Sequence, residues 1–254
     1  MPPVRRLVYV MAKAPVPGRV KTRLCPPLEP RQAAELAAAF VEDLLASLAG
    51  AGDFDVRLAL EEDSRASDAG RDGDPGDEGQ IGTADAAREA ALRLRRLAAA
   101  SSVRVEGQGE GDLGRRMSLL VDRGLAEGWA TVLVGGDVPD LPLATVRAAF
   151  EALERTDVVL AASRDGGYVL VGARRRHDAL FSIDAAWSSP DVFSATCTSL
   201  AKARCSYATL PAWEDVDDAP ALGRLAGRLD GGGDAVAPAT ARLMRRWRRE
   251  GVRF

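Results

Sequence analysis

Short apolar runs near residues 6–11, 54–60, 102–106, 130–135, 157–162, 167–172 and 205–209 have the length and the β-branched content of strands. Between most of them, apolar residues recur at three- and four-residue spacing, which predicts helices over 30–50, 84–100, 113–127, 142–155, 189–203, 218–228 and 238–250. The first helix is the most clearly punctuated. Pro30 opens it, Leu36, Phe40, Leu44 and Leu48 recur every four residues, and Gly50 closes it. Strands alternating with helices predict an α/β fold, a Rossmann-like three-layer sandwich whose mostly parallel sheet is covered on both faces. One connection breaks the alternation. The runs 157–162 and 167–172 are separated by a few residues around Arg164-Asp165-Gly166, too few for a parallel crossover, so the sheet is expected to be mixed.

The 254 residues suit one domain of this kind, and with 46% hydrophobic and 28% charged residues the chain can bury a core and is not of disordered composition. A net charge of −3 argues against a general nucleic-acid-binding surface. No apolar run approaches the roughly 18 residues of a membrane span, and the first apolar stretch is shorter than the h-region of a signal peptide, so the expected location is the cytoplasm and no membrane partner is expected. Cys25, Cys197 and Cys205 show no CxxC spacing and predict reduced thiols. Residues 61–79 are acidic and glycine-rich, which reads as a disordered surface insertion. The basic stretch 238–254 reads as a terminal helix docked through Leu243, Met244 and Trp247.

In an open α/β sheet, ligands lie outside the carboxyl ends of the strands, so the segments that follow the strands carry the candidate chemistry. After the first strand comes Ala12-Lys13-Ala14-Pro15-Val16-Pro17-Gly18-Arg19-Val20-Lys21-Thr22-Arg23, inside a stretch of 28 residues with six cations and no acid. Such a loop offers charge and backbone amides to an anion with several oxygens, with nucleotide phosphates the natural candidate. It is not a Walker A loop, because Val20 stands where glycine should precede Lys-Thr. Only three lysines occur in the chain and two, Lys13 and Lys21, are here, which suggests chemistry that wants an ammonium. After the fourth strand, Gly135-Gly136-Asp137-Val138-Pro139-Asp140 sets a carboxylate beside the expected phosphates, an arrangement that implies Mg²⁺ or Mn²⁺ between them. The plainer role for Asp137 and Asp140 is to cap the next helix, which suits Asp140 better. In Trp213-Glu214-Asp215-Val216-Asp217-Asp218, Asp215 and Asp217 are two apart in an extended segment and project to one side, where they could complete a metal site; Asp217 or Asp218 could instead be a helix N-cap.

Gln108-Gly109-Glu110-Gly111-Asp112-Leu113-Gly114 contains a literal GxGxxG, but its two acids would face a pyrophosphate, so a flexible turn contacting a nucleobase or acceptor is the better reading. Asp165-Gly166-Gly167-Tyr168 is either an ordinary hairpin connection or a turn that aims Asp165 or Tyr168 into an acceptor pocket. His177, the only histidine, lies among charges and gives little support to a histidine-based triad.

The segments AKAPVPGRVKTRL, QGEGDLGRRM, VLVGGDVPDLP, DGGYVLVG, WSSPDVF and EDVDDAPAL, in this order and over nearly the whole chain, resemble the bacterial rSAM/selenodomain-associated transferase family. That family is a branch of the GT-A (nucleotide-diphospho-sugar transferase) superfamily. The stretch from Lys21 to Leu48 also resembles 2-phospho-L-lactate guanylyltransferases, and GDVP around Asp137 is similar to the metal-binding strand end of sugar-1-phosphate uridylyltransferases. The chain departs from the family pattern in its acidic insertion and in DAPAL, which lacks an acid before the leucine.

The resemblance implies a GT-A-like domain in which Lys21 and Arg23 meet nucleotide phosphates and Asp137, with Asp215 or Asp217, holds a divalent metal. The expected nucleotide side comprises Ala12, Lys13, Pro17, Gly18, Arg19, Lys21, Gln108, Gly111, Gly114 and Asp137. The expected acceptor side comprises Asp140, Asp165, Gly166, Gly167, Tyr168, Trp187 and Ser188. The expected reaction is metal-dependent transfer of a nucleoside monophosphate from an NTP to a small phosphate- or carboxylate-bearing acceptor with release of pyrophosphate. Lys13, Lys21 and Arg23 would be the catalytic cations. The alternatives are NDP-sugar-dependent glycosyl transfer on the same fold and an inactive nucleotide-binding regulator.

Overall fold

The structure is a computed structural model that describes residues 5–61, 78–187 and 189–254. Seven strands form one sheet: β1 (Arg5–Lys13), β2 (Asp55–Glu61), β3 (Arg104–Gly107), β4 (Trp129–Gly135), β5 (Val158–Ser163), β6 (Tyr168–Ala173) and β7 (Tyr207–Trp213). The α-helices are α1 (Pro30–Gly50), α2 (Glu78–Ala100), α3 (Leu113–Ala126), α4 (Leu143–Leu153), α5 (Val192–Lys202), α6 (Ala219–Asp230) and α7 (Pro238–Arg249). The strand order is β3-β2-β1-β4-β6-β5-β7. Only β6 runs antiparallel to its neighbours, β4 and β5, as the short turn after β5 requires.

The central strands are hydrophobic at successive positions because both faces are covered. Side chains alternate between the faces: Val8, Val10, Leu58, Val132 and Val134 pack under α1, α2 and α4, while Leu7, Tyr9, Leu133 and Val171 pack toward α3 and α5. In α1, Glu29 and Gln32 form a reciprocal capping box ahead of Pro30. One side of this helix faces the sheet through Val41, Leu44 and Leu48, while Leu36 and Phe40 join a third cluster with Leu222, Leu225, Met244 and the fully buried Trp247. The three-layer expectation is thus extended, because α6 and α7 cover α1 rather than the sheet. Asp43 of α1 reaches across to cap α7, accepting bonds from the Ala239 and Thr240 amides at 2.8 Å each.

Two boundaries differ most from the sequence reading. Helix α2 begins at Glu78, six residues before the expected start; the expected acidic insertion falls mostly at 62–77, outside the described residues. Strand β7 runs to Trp213 rather than stopping at 209, since its position at the sheet edge tolerates Pro211. All three cysteines are free thiols. Among the described residues no helix is long and apolar enough to cross a membrane. For the site, register matters most: Lys13 pairs with Glu61 across β1 and β2, and Met11 with Gly135 across β1 and β4. These strand ends therefore finish level, along one edge where the following loops meet.

Candidate active site

Along that edge a cavity of about 300 Å³ opens between the carboxyl ends of β1 and β4, the start of the antiparallel β6 and the start of α3. Its walls include Lys13, Glu61, Gln108, Arg116, Tyr168 and Trp187, and Asp137, Asp215 and Asp217 stand at one end. Asp137 leaves β4 two residues after its last strand position. Its carbonyl accepts the Val216 amide at 3.0 Å, which ties the post-β4 loop to the segment carrying Asp215 and Asp217. Asp218 caps α6 by accepting the Ala221 amide at 2.8 Å, so capping does not occupy Asp217. The result is a triad in which one oxygen from each of Asp137, Asp215 and Asp217 lies within 4.8 Å of the others.

Lys21 is placed against this triad. Its ammonium donates to Asp217 Oδ1 at 2.5 Å and to Asp137 Oδ2 at 3.4 Å, and its side chain is only 12% exposed. Burial works against this charge, but the two carboxylates prevail and hold the Lys21 pKa above its ordinary value. Its backbone is left-handed, with φ 49°, a conformation that costs a non-glycine residue about 1–2 kcal/mol. The third carboxylate is the least satisfied: Asp215 accepts a hydrogen bond from Ser163 Oγ, yet burial, followed by repulsion from Asp137, Asp165 and Asp217, pushes its pKa up to about 6. Crowded carboxylates with one side chain still short of positive charge suit a divalent cation. Oxygen atoms that all lie within 4.8 Å of one another are close enough to share one ion at bonds of roughly 2.0–2.6 Å after small side-chain adjustments.

A second hollow adjoins the triad on its other side, lined by Lys13, Arg19, Val20, Lys21, Thr22, Arg23 and Asp217. The basic loop after β1 thus shares this hollow with Asp217. Lys13 also lines the main cavity, so both spaces border it. A third, smaller hollow is lined by Arg23, Arg164, Asp165, Arg224 and the acids of 214–218. Asp217 lines all three.

The expected site residues separate into those brought to these spaces and those that shape them. Ala12 is buried, and its carbonyl accepts from the Gln108 amide at 3.1 Å, while Gln108 also donates to the Ala59 carbonyl and accepts from Arg116. Gln108 therefore braces the loop while lining the cavity. Gly114 is a packing glycine, since a Cβ there would come 2.1 Å from the Trp187 indole. Gly111 and Gly166 have φ of 103° and 95°, and neither is among the cavity-lining residues. Pro17 and Gly18 are exposed and line neither the cavity nor the basic hollow. Gly167 and Asp165 close a turn, the Gly167 amide donating to Asp165 Oδ1 at 3.0 Å. The α3 N-terminus is capped by its own Asp112, which leaves the GxGxxG turn no free helix end for a pyrophosphate. Ser188 lies outside the described residues.

Asp140 is engaged away from the cavity. Both of its oxygens are held, by Arg228 Nε at 2.5 Å and by Arg228 Nη2 and Trp213 Nε1 at 3.3 Å, and it does not line the cavity. Nor does it cap α4, whose N-cap is Pro142. With Glu214, which binds Arg224 and Arg228, it fastens α6 to the loops bearing the triad. Sequence reasoning also passed over Ser163, at the carboxyl end of β5, and the Glu61–Arg116 ion pair of 2.8 Å on the cavity wall. The strand-end rule that found Asp137 would have found Ser163; Glu61 was absorbed into the acidic insertion.

A family of uncharacterised proteins conserved in bacteria, DUF2064, matches residues 78–189. Comparison with the curated proteins gives no significant match. Among solved structures, one from Desulfovibrio desulfuricans G20, provisionally called a nucleotide-diphospho-sugar transferase, is 26% identical, with a TM-score of 0.75 over 95% of this chain and 94% of that one. A nucleotidyl transfer enzyme from Methanothermobacter has a TM-score of 0.54 at 13% identity, covering 87% of this chain and 95% of its own. A CMP:2-keto-3-deoxy-manno-octonic acid synthetase complexed with CTP has a TM-score of 0.50 at 11% identity, over 90% of this chain and 99% of that one. The mixed α/β sheet is thus a fold that this chain shares with these structures.

Proposed function

We propose that the chain is a metal-dependent nucleotidyltransferase that joins a nucleoside monophosphate from an NTP to a small phosphate- or carboxylate-bearing acceptor and releases pyrophosphate. The observation that carries this reading is the basic hollow of Lys13, Arg19, Lys21 and Arg23 set directly against the Asp137–Asp215–Asp217 triad. A leaving pyrophosphate gathers negative charge, and it needs more cations at that position than a bound sugar nucleotide does. The neighbours of this fold that are named for nucleotidyl transfer and for CMP-sugar synthesis support the same chemistry.

In this reading Asp137, Asp215 and Asp217 hold Mg²⁺ or Mn²⁺, which when bound supplies Lewis-acid polarisation of the phosphates and screens them from the carboxylates. Lys13, Lys21 and Arg23 bind the triphosphate and shield the charge that grows on the leaving group. Gln108, Arg116 and Glu61 border the space for base and ribose, while Asp165, Gly167, Tyr168 and Trp187 border the space for the acceptor. An acceptor that is already ionised needs no general base, which agrees with His177 lying away from the cavity, 3.6 Å from Asp157.

Glycosyl transfer from an NDP-sugar is the second reading, favoured by the name carried by the Desulfovibrio protein. An NTP labelled at the α-phosphorus distinguishes the two. Nucleotidyl transfer moves the label into the acceptor product; if the NTP label stays in unreacted NTP while an NDP-sugar labelled at the same phosphorus releases labelled nucleoside diphosphate, glycosyl transfer is the activity. Binding of nucleotide without turnover of either kind would indicate an inactive nucleotide-binding regulator.

A further inference from the structure

We propose that Lys21 is a resident counter-ion that bars free divalent metal from the carboxylate triad and yields only to metal arriving with nucleotide phosphates. The inference rests on reading the triad as the metal site. Three observations carry it. The Lys21 ammonium touches two of the three carboxylates, at 2.5 and 3.4 Å, so it already neutralises part of the charge that would draw an ion. The side chain is buried and leaves a left-handed backbone, so it is directed there by the fold rather than resting there from solvent. The same side chain lines the basic hollow, where phosphates would give its ammonium a second set of anionic partners.

An ammonium and a divalent ion cannot both sit within bonding distance of Asp217 and Asp137 without strong repulsion. Free metal must therefore detach Lys21 and leave a buried cation without a partner, which is costly. When phosphates fill the basic hollow, the displaced ammonium turns to them and that cost disappears. Metal and nucleotide then bind with positive coupling, and by linkage each raises the affinity of the other by the same factor. Lys13 and Arg23 are exposed and make no ion pair with the triad among the described residues, whereas Lys21 pairs with two of its members. The ligand selected by the free protein is the metal–nucleotide chelate.

The test is Mn²⁺ binding, by calorimetry and by loss of the free-ion electron paramagnetic resonance signal, at fixed pH without any acceptor. Wild-type, Lys21→Met and Lys21→Gln proteins are compared with and without each of the four α,β-methylene NTPs. Wild type is expected to bind Mn²⁺ weakly alone and at least tenfold more tightly with the preferred analogue. Both variants should bind free Mn²⁺ at least tenfold more tightly than wild type and gain much less from nucleotide. Affinity for free Mn²⁺ that is unchanged or weaker in the variants overturns the proposal. Adding Asp137→Ala to Lys21→Gln separates the two layers: loss of the tight binding keeps the triad as the metal site, while its persistence shows that the ion binds elsewhere and removes the metal-site reading itself.

Discussion

Asp140 and Asp137 are three residues apart, yet the fold gives them opposite tasks. Asp140 is 6% exposed and clamped by Arg228 and Trp213, whereas Asp137 faces the cavity. Asp140→Ala leaves Arg228 without its main partner and is expected to cost about 2 kcal/mol of stability, with the acceptor KM changed less than threefold. Denaturant unfolding beside steady-state kinetics checks this, and a tenfold rise in KM at unchanged stability would return Asp140 to the acceptor side. At this scale the sequence was legible where geometry follows from spacing. Asp215 and Asp217, two apart in extended chain, reach one point, and Asp218 takes the helix cap beside them. It was illegible where two chemically sound roles competed, as for Asp140, because the deciding partner, Arg228, lies 88 residues away.

Among elements, the loop between β1 and α1 and the long-range cap on α7 offer separate tests. Replacing each of Lys13, Arg19, Lys21 and Arg23 with Met distinguishes a phosphate cradle from general attraction. The cradle predicts unequal effects: Lys21→Met should lower kcat by on the order of 10²-fold, Lys21→Arg should recover only part, and Arg19→Met should matter least. Equal small losses in all four, erased at high salt, would show long-range steering instead. For α7, Asp43→Ala removes the acceptor for two helix-end amides and is expected to cost about 2 kcal/mol, lowering Tm by roughly 4–8 °C. A calorimetric scan with Tm unchanged would show that α7 is held by its packing and ion pairs and not by this cap. Every predicted strand and helix has a counterpart in the structure, since alternation and periodicity are local signals. The docking of α6 and α7 on α1 was not legible, because an amphipathic face does not say which surface it meets.

For the whole molecule, the charges divide into a functional edge and a structural girdle. At the girdle, Arg57 of β2 is 2% exposed and binds Glu127 through two nitrogens, Glu106 at 3.0 Å and Asp55 at 3.1 Å, joining β2, β3 and the end of α3. Hydrogen bonding from Arg57 lowers the Glu127 pKa from its ordinary 4.5 to about 2. A carboxyl group depressed on folding contributes stability that is complete above the unfolded value and is lost as pH falls through the folded one. Wild type should therefore exceed Glu127→Gln in stability above pH 4.5, and the difference should shrink steadily toward pH 2. Parallel stability curves across that window would contradict the pairing. At the edge, one triad, one basic loop and one cavity converge, and the account stands on what they do together. The most direct measurement is pyrophosphate release from each of the four NTPs with Mg²⁺ or Mn²⁺ across phosphate- and carboxylate-bearing acceptors, in wild-type and Asp137→Ala proteins. Release that depends on acceptor and metal with one NTP, and is abolished in a normally folded Asp137→Ala variant, is the predicted result; undiminished release in that variant, or sugar release from UDP- or GDP-sugars with no pyrophosphate from any NTP, would contradict it.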